Sequence, residues 1–191
     1  MIRKIAARHE HTLIENKDFG SSDLEASYEY VEFRNCSFLK LAGTDFMECV
    51  FHSCNLSNAM VRNCKIQNVR FNDCKLVGIN FNDTKTFGFS VAFENCNLDY
   101  ASFDNRKMNQ STFVNCKMHG VNFSNADLSK CTIERCDLDA AIFSYTNLSG
   151  LDFTTNYNFS IDPEINTLKK TKFTVHSLPG LLTKYNLDIQ Y

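Results

Sequence analysis

Residues 54 to 76, CNLSNAMVRNCKIQNVRFNDCKL, carry a small side chain at every fifth position: Cys54, Ala59, Cys64, Val69 and Cys74. A larger apolar residue follows each one by two places, namely Leu56, Val61, Ile66, Phe71 and Leu76. An α-helix repeats its apolar face every 3.6 residues and a half-buried strand every 2, so a period of five excludes both as the repeating unit. With the larger residue taken as the centre of each unit, centres run from Phe46 to Phe81 and, after a slip of two, from Phe93 to Phe153. Phe33 and Phe38 keep the spacing before a slip of three, and Leu168, Phe173 and Leu178 return to phase after residue 153. A repeat of this extent governs the whole fold.

A longer period tells how the units stack. From Phe93 to Leu128 phenylalanine alternates with leucine or methionine, and Cys96, Cys116 and Cys136 recur every twenty residues. Four units per coil account for both, giving a roughly square coil in which like residues lie on like. Backbone pairing between coils spaces them by about 4.8 Å, so about twenty-eight units make about seven coils and a rod of about 34 Å. The place two after a centre is Asn, Asp or Gly in thirteen cases, Asn58, Asp73, Gly78 and Asp83 among them. These residues tolerate the left-handed backbone of a tight corner. The expectation is an all-β quadrilateral β-helix (a solenoid) over residues 19–178, an N-terminal segment over 1–18 and a short helix and tail over 179–191.

All nine cysteines fall in the small slot two places before a centre, a position shared with Ala59, Ala101, Ala126, Ser111 and Thr146. Free cysteine behaves as a small buriable side chain, so packing explains the placement. The odd count argues against a complete disulfide framework, and no C-x-x-C pair marks a zinc site. No cofactor or metal is expected.

With 191 residues, 22% charged and a net charge of -2, the chain has no strong attraction for nucleic acid. Its start, MIRKIAARHEHTL, lacks the apolar run of a signal peptide, no stretch approaches a membrane span, and the expected location is cytoplasmic. Motifs for acyl transfer, phosphate binding or metal-assisted hydrolysis are absent, so an enzyme is not expected. His9, Glu10 and His11 read as a solvated tail.

The units CNLSN, ADLSK, CDLDA and TNLSG resemble the A(D/N)LXX repeats of the pentapeptide-repeat family. That resemblance implies a right-handed quadrilateral β-helix. The tail segments FSIDPEINTLKK and SLPGLLTKYNLDI resemble the ends of its quinolone-resistance (Qnr) and microcin-immunity branch. In that branch the tail caps the rod with a short helix and joins two rods end to end. The resemblance further implies a DNA-mimicking binder of type II topoisomerase (DNA gyrase) that protects it from quinolone or microcin-like poisons. The alternative is a general protein-interaction scaffold with a partner unrelated to DNA.

Both slips fall where Qnr proteins carry projecting loops, although the inserts here are only three and two residues. Candidate partner contacts are therefore Lys40 and Leu41 in the first slip, and Asp83, Thr84, Lys85 and Phe87 in the second. Phe87 also has a structural reading as the missing centre between Phe81 and Phe93, which the tendency to bury aromatics favours. Residues 126 to 165 hold seven acids against two bases, a net -5, and add Asp127, Asp137 and Asp139 as contacts for a DNA-binding partner.

The tail supplies the candidate homodimer interface. Ser177 before Pro179 reads as a helix start, Asn186 as its stop, and Leu178 as the residue closing the last coil. Leu181, Leu182, Tyr185, Leu187 and Ile189 then remain as an apolar patch that a second copy would cover. Folding of the tail back onto its own rod as a monomeric cap is the alternative.

Overall fold

Each five-residue unit forms one side of a coil, because its backbone extends across the centre and turns at the corner. Away from the first face, most turns close when the N–H of the small-slot residue donates to the carbonyl of the preceding centre, as Ala101 does to Leu98 (2.9 Å) and Ala126 to Phe123 (3.0 Å). Twelve of the thirteen Asn, Asp or Gly corners have positive φ; Asp83 is the exception. Tyr100, Arg135, Ala140 and Tyr145 adopt the same left-handed conformation at equivalent corners, so the coil can impose it on residues that do not favour it.

A computed structural model describes residues 11–20, 24–108 and 110–190. His9 and Glu10 lie outside the described residues. The first face of the rod is a seven-stranded parallel sheet of Thr12–Glu15, Val31–Arg34, Val50–His52, Val69–Asn72, Val91–Glu94, Thr112–Val114 and Thr132–Glu134. The other faces pair mostly through single parallel bridges, such as Lys117 with Asp137 and Ser102 with Asn122. The architecture is a quadrilateral parallel β-helix. Thr12 already pairs with Val31 as part of the coil, ahead of the boundary expected at residue 19.

The core is a set of stacks. On the first face Phe33, Phe51, Phe71, Phe93 and Phe113 lie ring on ring at 4.8, 4.9, 5.2 and 5.2 Å. On the opposite face Phe81, Phe103, Phe123 and Phe143 stack at 4.8, 5.4 and 5.6 Å. The two columns meet edge to face, as Phe113 does with Phe103 (5.5 Å) and Phe123 (5.9 Å), the arrangement the ring quadrupole favours. The two faces between them begin with aromatics, Phe19 on Phe38 and Tyr28 on Phe46, and continue with leucine and methionine from Leu98 to Leu148. All nine cysteines are free, and eight are buried. In the corner column Cys74, Cys96 and Cys136 donate to the carbonyls of Phe51, Phe71 and Phe113. For Cys74 the hydrogen bond with the Cys54 thiol, and then burial, push the pKa up to about 12, which leaves it unreactive at neutral pH.

The register shows what the two slips are. Phe51 stands directly on Phe33, eighteen residues earlier, whereas Phe71 stands on Phe51, twenty earlier. The first slip is thus a shortened corner: Leu41 follows Phe38 by three residues, is 2% exposed, and occupies a centre. The expected insert there does not exist. The second slip is an insertion, since Phe93 stands on Phe71 across twenty-two residues.

The expected short carboxyl-terminal helix is present as two 3-10 segments, Val175–Leu181 and Thr183–Tyr185, but Ser177 does not cap it. Thr174 is the cap: its hydroxyl accepts from Ser177 N, and the Ser177 hydroxyl accepts from Thr174 N, so Ser177 is the reciprocal member of a capping box. Asn186, with φ of 49°, ends the second segment as expected. Leu178 is exposed and does not close the coil; Leu181 packs against the core instead. Gly180 makes this possible, because a Cβ there would sit 2.4 Å from Phe159 O. Its carbonyl accepts from Ile161 N (2.9 Å).

Candidate partner-binding surface

The two inserted residues of the second slip leave the rod between Lys85 and Gly88. Asn80 caps a single 3-10 turn, Phe81–Asp83, by accepting from Asn82 N. The Thr84 side chain then turns inward and its hydroxyl donates to Phe81 O (2.7 Å). Gly88, with φ of +73°, reverses the chain so that Phe89 drops into the core. Phe89 rather than Phe87 is the missing centre, lying edge-on to Phe81 at 6.0 Å. Phe87 is left 87% exposed, against the burial expected for it. One phenylalanine within reach of the core suffices to fill that level, and the insert carries two.

The loop is pinned on both flanks. Lys85 Nζ donates to Asp45 Oδ1 (2.7 Å) and Oδ2 (3.0 Å), and the Asn68 N–H donates to Ser90 Oγ (2.8 Å). Burial raises the Asp45 pKa, but the hydrogen bonds from Lys85 and Lys65 outweigh it and hold the carboxyl below its ordinary value. Beneath the loop lies Arg106, 2% exposed, its guanidinium 5.0 Å from the centroid of the Phe89 ring. It donates to the carbonyls of Phe81 (2.5 Å), Asn82 (2.8 Å), Thr84 (2.5 Å) and Lys85 (3.3 Å). Burial lowers its pKa, and the nearby Asp83 charge acts in the other direction.

The remaining sequence candidates do not form one patch. Lys40 is exposed at the shortened corner, bridged to Met60, while Leu41 and Thr84 are buried. Asp83 and Lys85 are exposed beside Phe87. Asp127 pairs with Lys107 and Asn147 on one face, whereas Asp137 pairs with Lys117 and Tyr157 two sides away, on the opposite face that also carries Asp139. Burial raises Asp137, but His119 Nε2 at 2.8 Å and Asn158 Nδ2 at 2.8 Å hold its pKa below the ordinary value. Asp127 is lowered in the same way, burial being outweighed by donors from Ser129 and Asn147.

The tail neutralises part of the acidic half. Lys184 Nζ bridges Asp162 (2.8 Å) and Glu164 (2.7 Å), and Lys172 approaches Asp152 at 3.4 Å. Of the expected interface residues, Tyr185 and Leu187 are exposed, and Leu181, Leu182 and Ile189 are partly covered. Val175 and Leu178 extend the exposed apolar surface beside them. Among the described residues there is no cluster of metal-ligating side chains, and no helix is long and apolar enough to cross a membrane.

The family model for the pentapeptide repeat region matches residues 26–103 and 87–157. The chain belongs to the pentapeptide-repeat family. Among solved structures it is similar to full-length QnrB1, a plasmid-mediated fluoroquinolone resistance protein, at 20% identity over 94% of this chain and 99% of that one, with a TM-score of 0.48. HetL, a pentapeptide-repeat protein involved in heterocyst differentiation regulation from a Nostoc cyanobacterium, is 12% identical over 85% of each chain, with a TM-score of 0.32. No curated protein matches.

Within the pentapeptide repeat, Arg106 is the buried charged residue of this surface that sequence reasoning missed. It stands two places before the centre Met108, in the slot that every neighbouring unit fills with Cys, Ala, Val, Ser or Thr. A charged residue in an inward slot was the available signal. Its meaning depends on the coil before it, which the repeat alone does not place beneath the loop.

Proposed function

We propose that this pentapeptide-repeat protein is a non-enzymatic binder of a type II topoisomerase, DNA gyrase in the first instance. It would act in the cytoplasm as an end-to-end homodimer that protects the enzyme from a quinolone or microcin-like poison. The observation that carries the reading is Phe87: an aromatic side chain held almost wholly in solvent on a pinned loop, at the position where the Qnr branch places a projecting loop. Exposed aromatics on rigid supports are favoured anchors of protein interfaces, since little entropy is lost when they dock. The tail resemblance supports the same branch. Asp127 on one face and Asp137 with Asp139 on the opposite face offer negative charge on both sides of the carboxyl half, as the two strands of a duplex would.

The test is gyrase supercoiling in the presence of a quinolone or microcin. Supercoiling should persist when this protein is added, and Phe87→Ala should weaken protection by about tenfold or more. Absence of any protection or gyrase binding would end the topoisomerase reading. A second reading, a scaffold for a partner unrelated to DNA, is favoured by the pairing of Asp152, Asp162 and Glu164 with tail lysines, which reduces the field available for mimicry. Charge reversal at Asp127, Asp137 and Asp139 separates the two: mimicry requires gyrase binding to fall, and unchanged binding removes it.

A further inference from the structure

We infer that Arg106 is the positioning residue of the Phe87 loop, a side chain on the following coil that converts a two-residue insertion into a preformed binding element. In a regular coil most carbonyls pair with an N–H, either of the coil beside it or of the next small slot in the same coil. The insertion between Phe71 and Phe93 takes residues 86–88 out of that pairing and turns the carbonyls of Phe81, Asn82, Thr84 and Lys85 toward one point. An alanine in the slot at 106 could satisfy none of them and a cysteine only that of Phe81, which Thr84 already serves, so the carbonyls of Asn82 and Thr84 would lose their donor, and buried carbonyls without donors are costly. Nη2 reaches the carbonyls of Phe81, Asn82 and Thr84, sharing its two N–H groups among them, and Nη1 reaches that of Lys85, a span that the single nitrogen of an ammonium or amide could not cover. The arginine also faces the Phe89 ring, so it fixes the residue that returns the chain to the core as well as the backbone that leaves it.

Among the described residues the buried Nε–H has no hydrogen-bond partner, a sign that the side chain is placed for its terminal donors. Thr84, Lys85 with Asp45, and Ser90 with Asn68 hold the rim; Arg106 holds the base. Phe87 is consequently displayed in one conformation before any partner arrives, and the ordering cost of the loop is met in folding instead of in binding. The importance of this for partner affinity rests on the reading of Phe87 as an anchor; the positioning itself does not.

Two measurements on the full chain test the inference separately. The first compares Arg106→Cys in the natural chain with Arg106→Cys in a chain whose residues 82–92 are replaced by residues 124–132, which restores a regular twenty-residue coil. In the natural chain the substitution should lower the melting temperature and speed amide exchange at residues 84–90 by about tenfold or more, while exchange in coils beyond Phe123 stays unchanged. In the regularised chain the same substitution should be neutral or raise the melting temperature. Equal destabilisation in both backgrounds would overturn the inference, since it would make Arg106 a general packing residue. Arg106→Lys, which keeps the charge and one donor nitrogen but loses the second, should recover only part of the exchange protection that Arg106→Cys loses; full rescue by lysine would also overturn it. The second measurement is gyrase affinity. Arg106→Cys and Phe87→Ala should each weaken it, and the double variant should be no weaker than Phe87→Ala alone; additive losses would overturn the assignment. If the natural chain does not bind gyrase, the functional reading fails and the exchange experiment still decides the role of Arg106.

Discussion

Phe113 is wholly buried, stacked on Phe93 at 5.2 Å and met edge-on by Phe103 and Phe123. A solenoid rod has no slack to close around a missing ring, because each level is fixed by the backbone ladders above and below. Phe113→Ala should therefore cost about 3 to 5 kcal/mol in denaturant unfolding, and a loss under about 1 kcal/mol would contradict burial in a stack. The corners make the opposite prediction. Ala140 has φ of 53° in a conformation that a Cβ disfavours, and its side chain is exposed. Ala140→Gly should raise stability by about 0.5 to 1 kcal/mol, a case where the glycine's extra unfolded-state freedom is outweighed by relief of the left-handed backbone. Thermal melts of the two proteins check it, a lower melting temperature counting against that balance.

At the scale of elements, the tail is held by its capping box, by the close approach at Gly180 and by the Lys184 bridge to Asp162 and Glu164. For both acids the hydrogen bond from Lys184 is the leading cause that holds the pKa below the ordinary 3.8 and 4.5. A depressed carboxylate contributes stability above its unfolded value and loses it as pH falls through the folded one. Lys184 is raised above its ordinary 10.5 by the same pair, so its contribution is complete below that value and lost at still higher pH. Neutral pH lies inside both limits. Amide protection factors over residues 175–185 should accordingly fall between pH 6 and pH 3, and Lys184→Met should flatten that dependence. An equally steep fall in the methionine variant would place the docking elsewhere.

At the scale of the molecule, the rod ends in an apolar surface to which Val175, Leu178, Tyr185 and Leu187 contribute exposed area. Such a surface beside the last coil favours association through a two-fold contact, which also covers an open backbone edge. Light scattering at micromolar concentration should give twice the chain mass for the natural protein and the single mass for a Leu182→Glu, Leu187→Glu variant. A monomeric natural chain would establish the tail as a cap alone. The twenty-two-residue coil has a consequence at this scale as well. A solenoid tolerates insertion at a corner because neighbouring coils contact each other only through ladders and stacks, so the disturbance ends where Phe93 regains its place on Phe71.

The period of five, the twenty-residue recurrence of cysteine and the Asn, Asp and Gly corners are local properties, and each is enforced by the same sterics in every coil; the sequence alone therefore determined a four-sided coil with those centres inward. It could not distinguish a short corner from an inserted loop at the first slip, because Leu41 is apolar in either register and only stacking Phe51 on Phe33 fixes which one holds. The choice between Phe87 and Phe89 was likewise open along the chain. Backbone reversal at Gly88 and the volume beside Phe81 decided it. Arg106 and the tail lysines belong to the same class: their partners lie about one coil away along the chain, and the pairing exists only once the coils have stacked.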